Sequence, residues 1–176
     1  YGDNASVFLN TGIMIGSDIY TFKSEPIRED EKHLILILQD ECDVDKEFHI
    51  DKKDLEKWIK LKDSISIERE KNGFKYNYSM GKIGFDKLNK PSRTIVTGEG
   101  GSSPSRFKHI IKVRGIKDKY RRLTPVELER LNGFPDNFTK HKDVSDIKRA
   151  FLMGNALVCG IVEKIGISLL EKTKNK

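Results

Sequence analysis

Apolar and polar positions change period several times along this chain, and each change predicts an element. Over residues 6–24 the two alternate, with Val7 and Leu9, Ile13 and Ile15, then Ile19 and Thr21 around Gly16-Ser17-Asp18, which predicts a β-hairpin. Residues 33–38 form a short apolar run compatible with a buried strand, although its period does not exclude a turn of helix. Past an acidic loop over 39–45, Leu55, Trp58, Ile59 and Lys62 recur at helical spacing, with Trp58 expected in the core. Residues 72–89 are rich in turns and carry Phe74, Tyr76, Tyr78 and Phe85, read here as a cross-strand aromatic ladder in preference to base-stacking rings. Residues 93–97 and 109–113 read as strands on either side of the loop Gly98-Glu99-Gly100-Gly101-Ser102-Ser103-Pro104-Ser105.

Two helices follow. Thr124 can cap the first, Pro125 suits its first position, Glu127 can close a capping box, and Leu128 and Leu131 face inward. Gly133 supplies a left-handed end and Pro135 prevents resumption. Ser145 can cap a second helix that Gly154 ends, and residues 156–170 are apolar on so broad a face that burial on more than one side is expected. Helix signals alone leave Arg121, Arg122 and Arg130 unexplained.

The run Arg121-Arg122-Leu123-Thr124-Pro125-Val126-Glu127-Leu128-Glu129-Arg130-Leu131-Asn132-Gly133-Phe134-Pro135-Asp136 resembles a signature block of the C5 cytosine DNA methyltransferases, R-x-L-T-P-x-E-x-x-R-L-x-G-F-P-D. Met153-Gly154-Asn155-Ala156-Leu157-Val158 resembles the G-N-[AS]-[VL]-[VT] block that opens the family's final helix. Upstream, Lys90-Pro91-Ser92-Arg93-Thr94-Ile95-Val96-Thr97-Gly98-Glu99-Gly100-Gly101 resembles the Thr-aliphatic pair and glycine-rich loop of its target recognition domain. The resemblance covers residues 91–167. It implies an α+β fold, with a small mixed target recognition domain of short strands and helices over 1–141. A helical return segment over 142–176 would then pack on a Rossmann-like catalytic domain. The family's Gly-rich cofactor loop, Pro-Cys nucleophile loop, Glu-Asn-Val acid and Gln-Arg-x-Arg block do not occur here; Cys42 follows Glu41 and Cys159 lies in an apolar run, so neither sits in a Pro-Cys loop. The chain is therefore expected to be the C-terminal part or small subunit of a DNA (cytosine-5-)-methyltransferase, inactive without its N-terminal catalytic partner.

In the family a cytosine is flipped from the duplex, a cysteine thiolate attacks C6, a glutamate supports N3, and C5 receives the methyl group of S-adenosylmethionine. The resemblance gives Thr94, Gly100, Gly101 and Ser102 a role in holding the flipped nucleotide's backbone. Arg93, Arg106, Lys108 and Arg114 are candidate DNA contacts by residue type. Arg122, Thr124, Glu127, Arg130 and Gly133 are expected to organise the site, and Asn155 with Ala156 to lie near the methionine end of S-adenosylmethionine. Expected partners are double-stranded DNA, the catalytic half, and a second copy through the last helix. Two alternatives stay open: a methyltransferase-like DNA-binding module without catalysis, and part of an RNA cytosine methyltransferase.

Charge adds one element to this picture. Residues 89–176 hold 19 Lys and Arg against 9 Asp and Glu, whereas residues 1–88 hold 14 against 18. Arg106, Lys108, Lys112, Arg114, Lys117, Lys119, Arg121 and Arg122 fall close together with only Asp118 opposing them, which reads as a phosphate-facing strip beside the Gly/Ser loop. Hydrophobic residues make up 36% and charged residues 34% of the 176, less apolar material than a free-standing domain usually carries. Two distant cysteines give neither a disulfide framework nor a metal spacing, and a reducing cytoplasm is expected. No signal peptide and no apolar stretch of membrane-spanning length is expected. His33, His49, His109 and His141 have no metal-ligand spacing.

Overall fold

Alternation around Gly16 does form a hairpin: β1 (Thr11–Ile15) and β2 (Asp18–Phe22) pair antiparallel, from Thr11 opposite Phe22 to Ile15 opposite Asp18. Gly16 takes φ +61°, as a tight hairpin turn requires. At the open end Asn10 and Ser24 exchange two hydrogen bonds, the Asn10 amide donating to the Ser24 carbonyl at 2.8 Å and the Ser24 N–H to Asn10 Oδ1 at 3.0 Å. This computed structural model describes residues 9–27 and 29–174, so Val7 of the alternating pattern lies outside the described residues. The hairpin belongs to a compact unit that ends at Glu31; a second unit runs from Lys32 to Lys176.

Helical periodicity in the second unit gives α1 (Lys52–Lys62), whose Trp58 is 1% exposed. Two antiparallel ribbons follow, β3 (Ile65–Lys71) with β4 (Phe74–Met80), and β5 (Ile110–Lys112) with β6 (Tyr120–Arg122). The capping signals give α2 (Pro125–Asn132) and α3 (Asp146–Asn155), and α4 (Cys159–Lys174) completes a small mixed arrangement of helices and short strands. Leu34, Ile111, Leu123, Leu128, Ala150 and Met153 form the core, with Ile95, Leu131 and Phe134 packed against it. α2 and α3 pack on each other, so the unit is continuous across position 142.

Four expectations need correction. Residues 33–38 are not a strand: Leu34–Ile37 is a 3-10 turn, in which residues three apart share a side and so bring both Leu34 and Ile37 to the core. Its N–H groups are satisfied by the loop beyond, Leu34 donating to the Lys90 carbonyl and Ile35 to that of Leu88. Residues 93–97 are not a strand either, since β5 pairs with β6 and the backbone of Val96 and Thr97 lies against Gly154 of α3. The aromatic ladder is absent because β3 has no aromatic residue: Tyr78 stands opposite Ile67, Tyr76 opposite Arg69 and Phe74 opposite Lys71. Gly154 does not end its helix, which continues to Asn155 and stops at extended Ala156.

One further correction concerns the apolar C-terminal stretch. By length and composition alone, Asp146–Lys174 is apolar enough to cross a membrane. The interruption at Ala156 divides it, and the 16 residues of α4 fall short of the roughly 20 that a bilayer needs. No residue of α4 is buried, and Leu157, Ile161, Ile165 and Leu169 all lie open to solvent.

Candidate nucleic-acid interface

The arginines that helix signals left unexplained are internal ties. Glu127 accepts from Arg121 at both carboxylate oxygens, each at 2.8 Å, and both side chains are fully buried. The same carboxylate accepts the N–H of Thr124 at 2.9 Å and of Gln39 at 3.0 Å, while Thr124 Oγ1 accepts the Glu127 N–H at 3.2 Å. Glu41 takes the remaining Arg121 Nε at 2.9 Å. Burial opposes the Arg121 charge, but Glu127 and Glu41 outweigh it and hold the guanidinium above its ordinary range. Arg122 donates to the Glu47 carbonyl at 2.7 Å and lies over the Phe48 ring; burial lowers its affinity for the proton, and Glu47 only partly compensates. Arg130 grips Asp136 at 2.7 and 2.6 Å and also donates to the carbonyls of Ile37 and Leu38. The capping-box helix is thus the post to which residues 37–48 are fastened, with Arg121 and Arg122 just before it and Arg130 on it supplying the ties. Gly133 ends α2 at φ +81°.

The Gly/Ser loop stands on a second buried network. Glu99 accepts the His109 N–H at 2.9 Å and lies 2.8 Å from His109 Nδ1, whose other ring nitrogen is 3.0 Å from Ser92 Oγ. Lys108 Nζ donates to the carbonyls of Gly101 at 3.0 Å and Ser103 at 2.8 Å, and burial followed by the nearby Arg122 charge lowers its pKa. Gly100 is pressed against α3, where a Cβ would come 2.7 Å from Ile147 Cα. Gly101 takes φ +76°, a left-handed conformation that glycine adopts without strain.

Arg106 is buried and donates to the carbonyls of Leu61 at 2.9 Å, Asp63 at 2.6 Å and Gly81. Lys62 Nζ returns the tie by donating to the carbonyls of Arg106, at 2.8 Å, and Lys108. Arg93 forks onto Asp86 at 2.6 and 3.1 Å. The expected basic strip is therefore not one surface: Arg106, Lys108, Arg121 and Arg122 turn inward, while Lys112, Arg114 and Lys117 stay exposed. Sequence reasoning missed this division, because these cations are spread over loops and two three-residue strands, too short for a period to separate buried from exposed positions.

Exposed Thr94 and Ser102 lie in different clefts. Thr94 shares a cleft of about 340 Å³ with Asn132, Gly154 and Ala156. Gly101 and Ser102 border another of about 460 Å³ with Asp51, Trp58, Arg122 and Ile147. Asn155 is exposed at the end of α3, its amide donating to the Phe151 carbonyl at 2.9 Å.

Residues 17–171 match the family described as C-5 cytosine-specific DNA methylase. The chain belongs to that family. Over 167 residues, 93% of its length, the chain is 40% identical to the Type II methyltransferase M.Sau3AI of Staphylococcus aureus and spans 38% of that protein. No solved structure matches it. The methylase match extends over α1 and the β3–β4 ribbon, well upstream of the residues 91–167 that carry legible motifs.

Proposed function

We propose that this chain is the DNA-recognition part of a DNA (cytosine-5-)-methyltransferase that transfers a methyl group to C5 of a cytosine flipped from a specific duplex site, in restriction-modification. The observation that carries this reading is a Gly/Ser loop with Ser102 and Ser103 exposed, held by the buried side chains of Glu99, Lys108 and His109, with exposed Thr94 on the segment that leads into it. Hydroxyls and backbone N–H groups on a rigid base suit phosphate and sugar contacts, which fix a duplex in register. Lys112, Arg114 and Lys117 add the mobile charge that releases counterions. Flipping costs a few kcal/mol of stacking and pairing, which these contacts offset.

S-adenosylmethionine, when bound, supplies the methyl group. Asn155 and Ala156 fit one edge of its site. Asn155 is exposed with its side-chain carbonyl unengaged among the described residues, and Ala156 lines the same cleft as Thr94. The nucleophile and the rest of the cofactor site belong to a catalytic domain or subunit, and α4 carries the apolar face that docks on it.

The test is methyl transfer from labelled S-adenosylmethionine to duplex DNA and to structured RNA, with the chain alone and with its catalytic half. Activity on DNA only in the combined sample supports the reading. Transfer by the chain alone, or to RNA only, overturns it.

A further inference from the structure

The β3–β4 ribbon is the longest strand pair in the second unit, and its side chains are unequally divided. Seven residue pairs join through Asn72 and Gly73, both left-handed at φ 54° and 78°, the geometry of a tight two-residue hairpin turn. One face carries Ile67, Arg69 and Lys71 opposite Tyr78, Tyr76 and Phe74, and no carboxylate. The other carries Glu68 and Glu70 opposite Asn77 and Lys75, with Lys75 Nζ 3.2 Å from Glu68. On the first face the Arg69 guanidinium lies 4.4 Å above the Tyr78 ring, and Phe74 at the tip is 71% exposed.

The base of this ribbon is fixed to the Gly/Ser loop. Arg106, which closes that loop, donates to Leu61 and Asp63 where α1 ends and to Gly81 where β4 ends. Ile83 and Gly84 donate to the Lys62 carbonyl, and Lys62 Nζ binds back to residues 106 and 108. A buried arginine that joins both roots of a hairpin to the proposed recognition loop has an architectural use: it sets the direction in which an otherwise exposed ribbon projects.

We propose that the ribbon is a second DNA-reading element, with its Arg69, Lys71, Phe74 and Tyr76 face in the major groove of the target duplex. The proposal rests on the DNA-recognition reading above. A B-DNA major groove about 12 Å wide admits a two-stranded ribbon, arginine forks onto guanine, and apolar side chains contact the thymine methyl group. Duplex DNA suits this face because its exposed cations and rings lie together with no carboxylate among them.

The test uses the full-length enzyme carrying this chain, a library of randomised duplexes, and bisulfite sequencing of the methylated products. Arg69→Ala combined with Phe74→Ala should reduce methylation of the preferred site about ten-fold or more and relax discrimination at one or more base positions. Its unfolding temperature should not change, since both residues lie outside the core. Glu68→Gln, on the opposite face, should keep the wild-type rate and sequence context. Unchanged rate and context in a folded double variant would overturn the proposal and leave the DNA-recognition reading standing. A lowered unfolding temperature with unchanged context would assign the face to a protein contact and also overturn it. Failure of the wild-type enzyme to methylate any duplex would overturn both.

Discussion

Gly154 lies so close to Thr97 that a Cβ at this position would come 2.4 Å from the Thr97 nitrogen. A second close approach, of Gly100 to Ile147 and Ala150, joins the same two segments. The Gly/Ser loop and α3 are thus locked backbone to backbone at two points, and a movement of α3 carries the loop with it.

Gly154→Ala and Gly100→Ala should each destabilise the fold by about 1–3 kcal/mol or more, because the obstructing atoms are mainly backbone and cannot rotate away. Gly166 inside α4 has nothing within 4 Å of a built Cβ, so Gly166→Ala should stabilise by about 0.5–1 kcal/mol through helix propensity alone. Urea unfolding of the three variants checks the contrast. Equal effects at all three positions would contradict the close approach.

Glu127→Ala should be the most damaging single change in the signature helix. It leaves Arg121 buried without its two short bonds and removes half of the capping box. Breaking a buried ion pair costs about 3–5 kcal/mol, largely because the remaining charge is uncompensated. Arg130→Ala disrupts a partly exposed pair and should cost less, about 1–2 kcal/mol including its bonds to the Ile37 and Leu38 carbonyls. Chemical denaturation of both variants should preserve that order.

Much of this organisation was legible, and the boundary has a physical cause. Thr124, Glu127 and Gly133 act within one turn of their own helix, so spacing alone predicts the cap, and the structure forms it. Gln39 and Glu41 reach the same glutamate and arginine from 88 and 80 residues away, and no local pattern records such a contact. Residue 154 reads as a helix stop because glycine often serves there, yet its missing side chain is needed for Thr97. Arg106 and Lys108 read as surface charge because arginine and lysine usually are, and only the fold reveals carbonyls waiting for them at Leu61, Gly81, Gly101 and Ser103. β3 went unread because Glu68, Arg69 and Glu70 interrupt its apolar alternation, as an exposed ribbon permits.

Lys62 should give the fold an alkaline stability increment. Burial, and next the nearby Arg93 charge, push its pKa down to about 8, against about 10.4 in an unfolded chain. Between those values the unfolded chain binds more protons, so stability rises with pH through this window and falls again as pH returns to 8. The difference in unfolding free energy between wild type and Lys62→Met should shift in favour of wild type from pH 8 to pH 10, by up to a few kcal/mol. A pH-independent difference would mean that Lys62 keeps an ordinary proton affinity.

The apolar face of α4 should govern both solubility and assembly. Leu157 and Val158 just before the helix and Ile161, Val162 and Ile165 on it are all exposed, and covering a large aliphatic side chain contributes about 1.5–3 kcal/mol. That is ample drive for the isolated chain to pair with itself, and the same face would be covered when the catalytic half is present. Ile161→Glu places a charge in its middle, where docking would bury it without a partner, so the lone chain should become more monomeric and lose complementation. Asn155→Ala, at the end of α3, should leave assembly intact and weaken use of S-adenosylmethionine. Light scattering on the lone variants and methyl transfer with the catalytic half measure the two effects separately. An Ile161→Glu chain that complements fully would show that α4 docks by another face or not at all.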